Sequence, residues 1–181
     1  MIGSSIAKRY ARALFDIAAE ENRYEKYHRE LIDFVSILEG NKELKEFLSN
    51  PIVDQDAKKA VVGTVLDKLD LSPVSANFLK LLVDKHRIDI LGDIEACYRK
   101  FMDDALQKVR VQVETAYPLS AEQTGRIEEG LAAMTGKQVE MAVAIEESLL
   151  GGIVVRIGDT CYDGSIKTQL KNISRLLGEE I

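Results

Sequence analysis

The chain has 181 residues, of which 46% are apolar and 30% charged, and it carries a formal net charge of −6. That length suffices for one large domain or two small ones, each with its own core, and the composition excludes an intrinsically disordered chain. The acidic balance works against nucleic-acid binding, which needs a local basic face, and no run approaches the roughly 18 apolar residues that cross a bilayer.

The opening stretch "MIGSSIAKRYARALFDIAAEEN" carries early basic residues, but Asp16, Glu20 and Glu21 follow and it has no long apolar core. It predicts a helix over about 4–20 and no secretory signal. A second helix, "YEKYHRELIDFVSILE", sets Tyr24, Tyr27, Leu31, Phe34, Val35 and Leu38 on one stripe at three- and four-residue spacing. "KELKEFLS" is a short third helix ending before Pro51, which disfavours helix at Asn50. Asp54 is the expected N-cap of a fourth. Ser72 followed by Pro73 opens a fifth, "VSANFLKLLVDK". A sixth spans about 89–107, through Ile94, Tyr98, Phe101 and Met102. Six helices joined by short polar turns predict an antiparallel bundle.

At Val109 the period changes. Val109, Val111, Val113 and Thr115 alternate with Arg110, Gln112 and Glu114, as in a half-buried strand. Ser120 and Gln123 form a capping-box pair opening a helix to about Met134. Val139, Met141, Val143 and Ile145 alternate again, as do Ile153, Val155 and Ile157 after the Gly151-Gly152 pair. Gly158-Asp159 reads as a two-residue hairpin turn, Thr160 to Tyr162 as the returning strand, and Asp163-Gly164 as a second turn. Ser165 caps a last helix with Ile166, Leu170, Ile173 and Leu177 on one face and Lys167, Lys171 and Arg175 in a solvated stripe. The domain boundary falls near residue 107, where helix six runs almost straight into the first strand.

The glycine-rich segment 151–170 is the natural place to look for chemistry. A P-loop needs four residues between two glycines and then Lys with Ser or Thr; Gly158 to Gly164 encloses five, no lysine follows, and Asp159 and Asp163 would repel phosphate. No GxGxxG is present. Cys161 has no histidine close in sequence, Cys97 is remote and neither belongs to a CxxC, so no metal site, cysteine nucleophile or disulfide framework is expected, and a reducing cytosolic setting is the default. Asp54-x-Asp56 lacks the glycine and further ligands of a calcium loop. Asp103-Asp104 and Glu146-Glu147 are adjacent pairs that point to different faces, not acid/base dyads. His86, between Lys85 and Arg87, reads as a charge partner of a helix C-terminus. The predicted sets of catalytic residues, cofactor ligands and metal ligands are empty.

Helices one and five stand out instead. At 100° per residue, Lys8, Arg9, Arg12 and Asp16 crowd into roughly 100° of the first wheel, and apolar residues cover most of the rest. In the fifth, Asn77, Lys80 and Asp84 form a narrow polar stripe. A surface helix needs only a stripe of about 100° for its own core. Two arrangements fit: both helices lie centrally and are buried all round, or they lie side by side and leave an apolar groove for a partner's amphipathic helix.

Three stretches together resemble a known family. "IAKRYARALFDIA" is similar to the opening helix, and "FLSNPIVDQDAKKAVV" to the third-to-fourth helix passage, of the delta subunit of bacterial F-type ATP synthase, a relative of the mitochondrial oligomycin-sensitivity-conferring protein. "SLLGGIVVRIGDTCYDGSIKTQLKNISRL" is the most specific match, through Gly151, Gly152, Gly158, Asp159, Asp163, Gly164, Ser165 and Leu170; Glu146-Glu147 departs from the Asp-Pro often found there. The resemblance implies an α+β protein: an N-terminal antiparallel six-helix bundle, residues 1–107, binding the catalytic head, then a small α/β domain, 108–181, with a mixed sheet and hairpin, binding the peripheral stalk. It implies a non-catalytic stator subunit of a proton-translocating rotary ATP synthase, with no cofactor and no nucleic acid. The implied partners are the N-terminal helix of an alpha subunit, held between helices one and five, and the b subunits of the stalk. Membrane association would be indirect, at the cytoplasmic face of the bacterial plasma membrane. The residues expected in the groove are Ile6, Tyr10, Ala13 and Ile17 with Asn77, Phe78 and Leu81. A generic helix-binding adaptor and a small nucleotide-dependent α+β enzyme are the alternative readings.

Overall fold

A computed structural model of the chain describes residues 5–69 and 71–176. These residues form eight α-helices and one four-stranded mixed sheet. The chain divides into two compact units, Met1–Met102 and Asp103–Ile181.

The first unit contains α1 (Ser5–Glu21), α2 (Tyr24–Gly40), α3 (Lys42–Ser49), α4 (Gln55–Lys68), α5 (Pro73–Asp84) and most of α6 (Leu91–Ala105). Ser4, the expected start of the first helix, lies outside the described residues. The caps fall where short polar side chains can satisfy the first free N–H groups. Asp54 accepts from the backbone N–H of Asp56 and Ala57, and Ser72 from that of Ser75, with Pro73 in the first turn. Asp54 is thus a helix cap, not a cation ligand.

The predicted helix over 89–107 is shorter and begins with a 3₁₀ turn, Ile88–Ile90. The tighter winding aligns residues three apart, and Ile88 and Leu91 both reach the core. At its other end α6 stops at Ala105, and Gln107 takes a φ of +51° before the first strand.

Two buried polar contacts tie distant helices together. Glu30 of α2, 6% exposed, accepts from the backbone N–H of Ser72 at 3.0 Å and from its hydroxyl at 2.6 Å. His28 Nε2 lies 2.8 Å from Glu95 Oε1 of α6, with its ring stacked on Tyr98. Burial raises the Tyr98 phenol above its ordinary range, and its hydroxyl donates to the Tyr24 carbonyl at 3.1 Å.

The second unit is built on β1 (Lys108–Thr115), α7 (Ala121–Thr135), β2 (Gln138–Ile145), β3 (Ile153–Ile157), β4 (Thr160–Asp163) and α8 (Ile166–Leu176). The sheet order is β2-β1-β3-β4: β1 pairs parallel with β2 through the α7 crossover, and antiparallel with β3. Val111, Val113, Val155 and Leu131 form the core beneath one face, while Val154 on the other face joins Ala116 and Leu149. Ser120 and Gln123 form the expected capping box. Asp103 and Asp104 face different cations, Arg110 at 3.0 Å and Lys137 at 3.0 Å, which accounts for both as ion-pair partners.

The glycine-rich segment is scaffold. Gly158 has φ +57° in the β3–β4 turn, as a two-residue hairpin with a left-handed first position requires. Gly152 has φ +78°, and a Cβ there would lie 2.3 Å from the Gly164 carbonyl oxygen, so the backbone of the β3 entry touches the turn that opens α8. Glu146 accepts from Ser148 N and caps the 3₁₀ turn Glu147–Leu149. Ser165 accepts from Thr168 N. Asp163 is held below the usual carboxylate range, first by the Ser165 backbone N–H it accepts, then by the Ser165 side chain and the Thr168 hydroxyl. Ile166, Leu170 and Ile173 remain exposed along α8, and Leu177 lies outside the described residues.

Four outcomes are expected. Glu30→Ala strands the Ser72 donors in a buried site and lowers the unfolding free energy in urea by about 2–3 kcal/mol. Gly152→Ala costs about 2 kcal/mol or more by the same measurement, whereas Gly130→Ala, in open space on α7, adds about 1 kcal/mol. Asp163 titrates by NMR with a midpoint below that of an ordinary aspartate. Its contribution to stability is therefore full above the unfolded-state value and disappears as pH falls through the lowered folded value.

Candidate functional site: an apolar recess between α1 and α5

The packing of α1 decides which side of it faces outward. Ala7, Ala11 and Ala18 are 0% exposed, and with Leu14 and Phe15 they form its inward seam. Phe15 meets the rings of Tyr24, Tyr98 and Phe101. The charged stripe lies on another side, where Arg12 pairs with Asp16 at 2.9 Å and sets its guanidinium against Phe15 and Phe101. Neither seam nor stripe uses Tyr10, Ala13 and Ile17. On α5, Phe78, Leu79, Leu82 and Val83 are buried, and Asn77 and Leu81 are exposed.

Tyr10, Ala13 and Ile17 from α1 and Asn77, Phe78 and Leu81 from α5 line one recess of about 580 Å³, together with Arg9, Leu14 and Val74. Tyr10 and Phe78 close its floor edge to face, with ring centroids 6.4 Å apart. Ile17 is 40% exposed and Leu81 42%, high values for large apolar side chains. Burial all round does not describe these helices; each keeps one apolar flank open. Among the seven residues expected in the groove, six line this recess. Ile6 does not: it is 36% exposed on the same face of α1, one turn before Tyr10. Leu14 and Val74 belong to the broad apolar arcs of the two sequences, whereas Arg9 was assigned to the polar stripe and reaches the rim through its long side chain.

The recess can bind an apolar or amphipathic surface but has no group for chemistry. It contains one tyrosine and one arginine as ionisable residues. Among the described residues no cluster of His, Cys, Asp or Glu could hold a metal ion. Cys97 is buried, and Cys161 is exposed on β4. His86 takes φ +52° just past α5. No described helix is long and apolar enough to cross a membrane.

Comparison with known proteins agrees in fold and in sequence. The family model described as ATP synthase delta (OSCP) subunit matches residues 6–177. The ATP synthase subunit delta of Syntrophus aciditrophicus is 58% identical over 181 residues, covering 100% of both chains. That of Geobacter metallireducens is 38% identical over 177 residues, covering 98% of each. Among solved structures, a chain of the Toxoplasma gondii mitochondrial ATP synthase hexamer aligns over 98% of this chain and 100% of its own, with a TM-score of 0.67 and 24% identity, a likeness of fold. The relatives are subunits of a complex whose delta subunit is not catalytic. The chain belongs to the ATP synthase delta (OSCP) subunit family.

Proposed function

We propose that the recess between α1 and α5 receives the N-terminal helix of an ATP synthase alpha subunit, and that the segment 108–181 engages the b subunits of the peripheral stalk. In this reading residues 1–107 act as an antiparallel six-helix bundle on the catalytic head. The protein then ties the head to the stalk, resists rotor torque, and keeps proton flow coupled to ATP synthesis at the cytoplasmic face of the plasma membrane.

The observation that carries the reading is the open apolar flank shared by α1 and α5. Ile17 and Leu81 are left 40% and 42% exposed although each helix buries an apolar seam of its own elsewhere. An amphipathic helix laid across both would remove those side chains from water, which stabilises a complex by about 25 cal/mol for each Å² of apolar surface. The cost of ordering the partner helix is subtracted from that gain. For the stalk contact, α8 offers Ile166, Leu170 and Ile173 as exposed apolar surface. A torque-bearing joint needs slow dissociation and stiffness, and apolar burial between preformed helices provides both without any catalytic group.

Tyr10→Asp and Leu81→Asp should each weaken binding of an alpha-subunit N-terminal peptide by tenfold or more, since each sets a charge in a desolvated contact. Circular dichroism of both variants should match the unchanged chain. Calorimetric titration of the peptide is the measurement, and undiminished affinity in either folded variant contradicts the assignment.

A further inference from the structure

The recess between α1 and α5 is largely apolar, and Arg9 is the one charged residue among its lining side chains. Arg9 belongs to a flank of α1 on which the charges follow a definite order. Eleven residues on, roughly 16 Å along the axis, Glu20 returns to within about 20° of the same angular position. Between them Asp16 is already paired with Arg12 at 2.9 Å. Arg9 and Glu20 are exposed, and neither has an ion-pair partner among the described residues.

That order is the reverse of the one that stabilises a helix by itself. The N-terminal end of a helix favours acidic side chains and its C-terminal end basic ones. Five of the other helices, α2, α3, α4, α6 and α7, carry an acidic residue in the first turn. Helix α1 has no acidic residue in its first turn and no basic one in its last. Lys8 and Arg9 stand near its start, and Glu20 and Glu21 close it. Glu21 is held by the Tyr27 hydroxyl and by Arg23. The folding of α1 does not account for Arg9 and Glu20, whereas a charged helix lying along the flank would.

The same charges fix the direction of that helix. An ordinary amphipathic helix is acidic in its first turn and basic in its last. Laid parallel to α1, it brings carboxylates to Arg9 and a cation to Glu20; laid antiparallel, it sets like charges together at both ends. The backbone dipoles favour the antiparallel arrangement, but each dipole end amounts to only about half a charge. Each side chain carries a full one. We infer that Arg9 and Glu20 select the direction of the helix seated in the recess: it lies parallel to α1, with an acidic side chain of its first turns on Arg9 and a basic one of its last turns on Glu20. This direction rests on the reading of the recess as the seat of the alpha-subunit N-terminal helix.

The test uses the full chain and the alpha-subunit N-terminal peptide with a nitroxide at its first or at its last residue. In methyl NMR spectra the N-terminal label should broaden Ile6 more than Ile17, and the C-terminal label Ile17 more than Ile6. The opposite pattern overturns the direction while leaving the recess as the seat. Arg9→Glu and Glu20→Lys should each weaken peptide binding about fivefold at low ionic strength and less in high salt. Their Tm should stay level or rise, because each substitution improves the charge order of α1 itself. Unchanged affinity in both variants, or weakened binding accompanied by a lower Tm, also overturns the proposal. If the unchanged chain does not bind the peptide at all, the seating of the alpha-subunit helix is refuted, and the direction falls with it.

Discussion

The small-residue seam of α1 is the constraint on which the rest depends. Ala7, Ala11 and Ala18 admit close approach of the neighbouring backbone and fix the rotation of the helix about its own axis. Once those positions and Leu14 and Phe15 face inward, the 3.6-residue period leaves Tyr10, Ala13 and Ile17 on an open flank. A larger side chain at any of the three alanines would push the helix away or turn it, and the recess would change shape. The shape of the recess is therefore set largely by the side chains of the inward seam.

The opposite wall is held from both ends. At the start of α5, Glu30 reaches from α2 to the Ser72 N–H and hydroxyl. At its end, Gln55 Nε2 of α4 donates to the Val83 carbonyl at 2.6 Å, and Lys59 pairs with Asp84 at 3.0 Å. The outer pair is exposed and contributes little, whereas the buried carboxylate contributes more because its partners would otherwise be left unsatisfied. With both termini tied, Asn77, Phe78 and Leu81 are presented as a preformed surface, so the proposed docking of a helix would lose less ordering free energy.

Much of this was legible in the sequence because it is local. Asp54, Ser72 and Ser120 with Gln123 announce helix starts within four residues of themselves, and the alternation of Val109, Val111 and Val113 announces a strand. Six residues that line the recess are reached from the width of two apolar arcs together with a family resemblance; the arcs alone leave full burial open, since a wheel cannot tell an open flank from a covered one. Ile6, expected in the groove with them, lies outside the recess, which ends before its turn. The buried polar residues could not be read at all. Glu30 finds its partner 42 residues away and His28 finds Glu95 67 residues away, so no periodic signal links them.

The segment 151–170, where the glycines suggest a site for chemistry, is explained by backbone geometry at Gly152 and Gly158, while the proposed binding surface lies on an alanine-rich helix near the other end of the chain. The most direct measurement of that account is a methyl NMR titration of the full chain with the alpha-subunit N-terminal peptide. The account predicts saturable shifts centred on the methyls of Ala13, Ile17 and Leu81, with the seam residues Ala7, Ala11 and Ala18 little changed. Shifts clustered instead on residues 103–176, or none at saturating peptide, would contradict it.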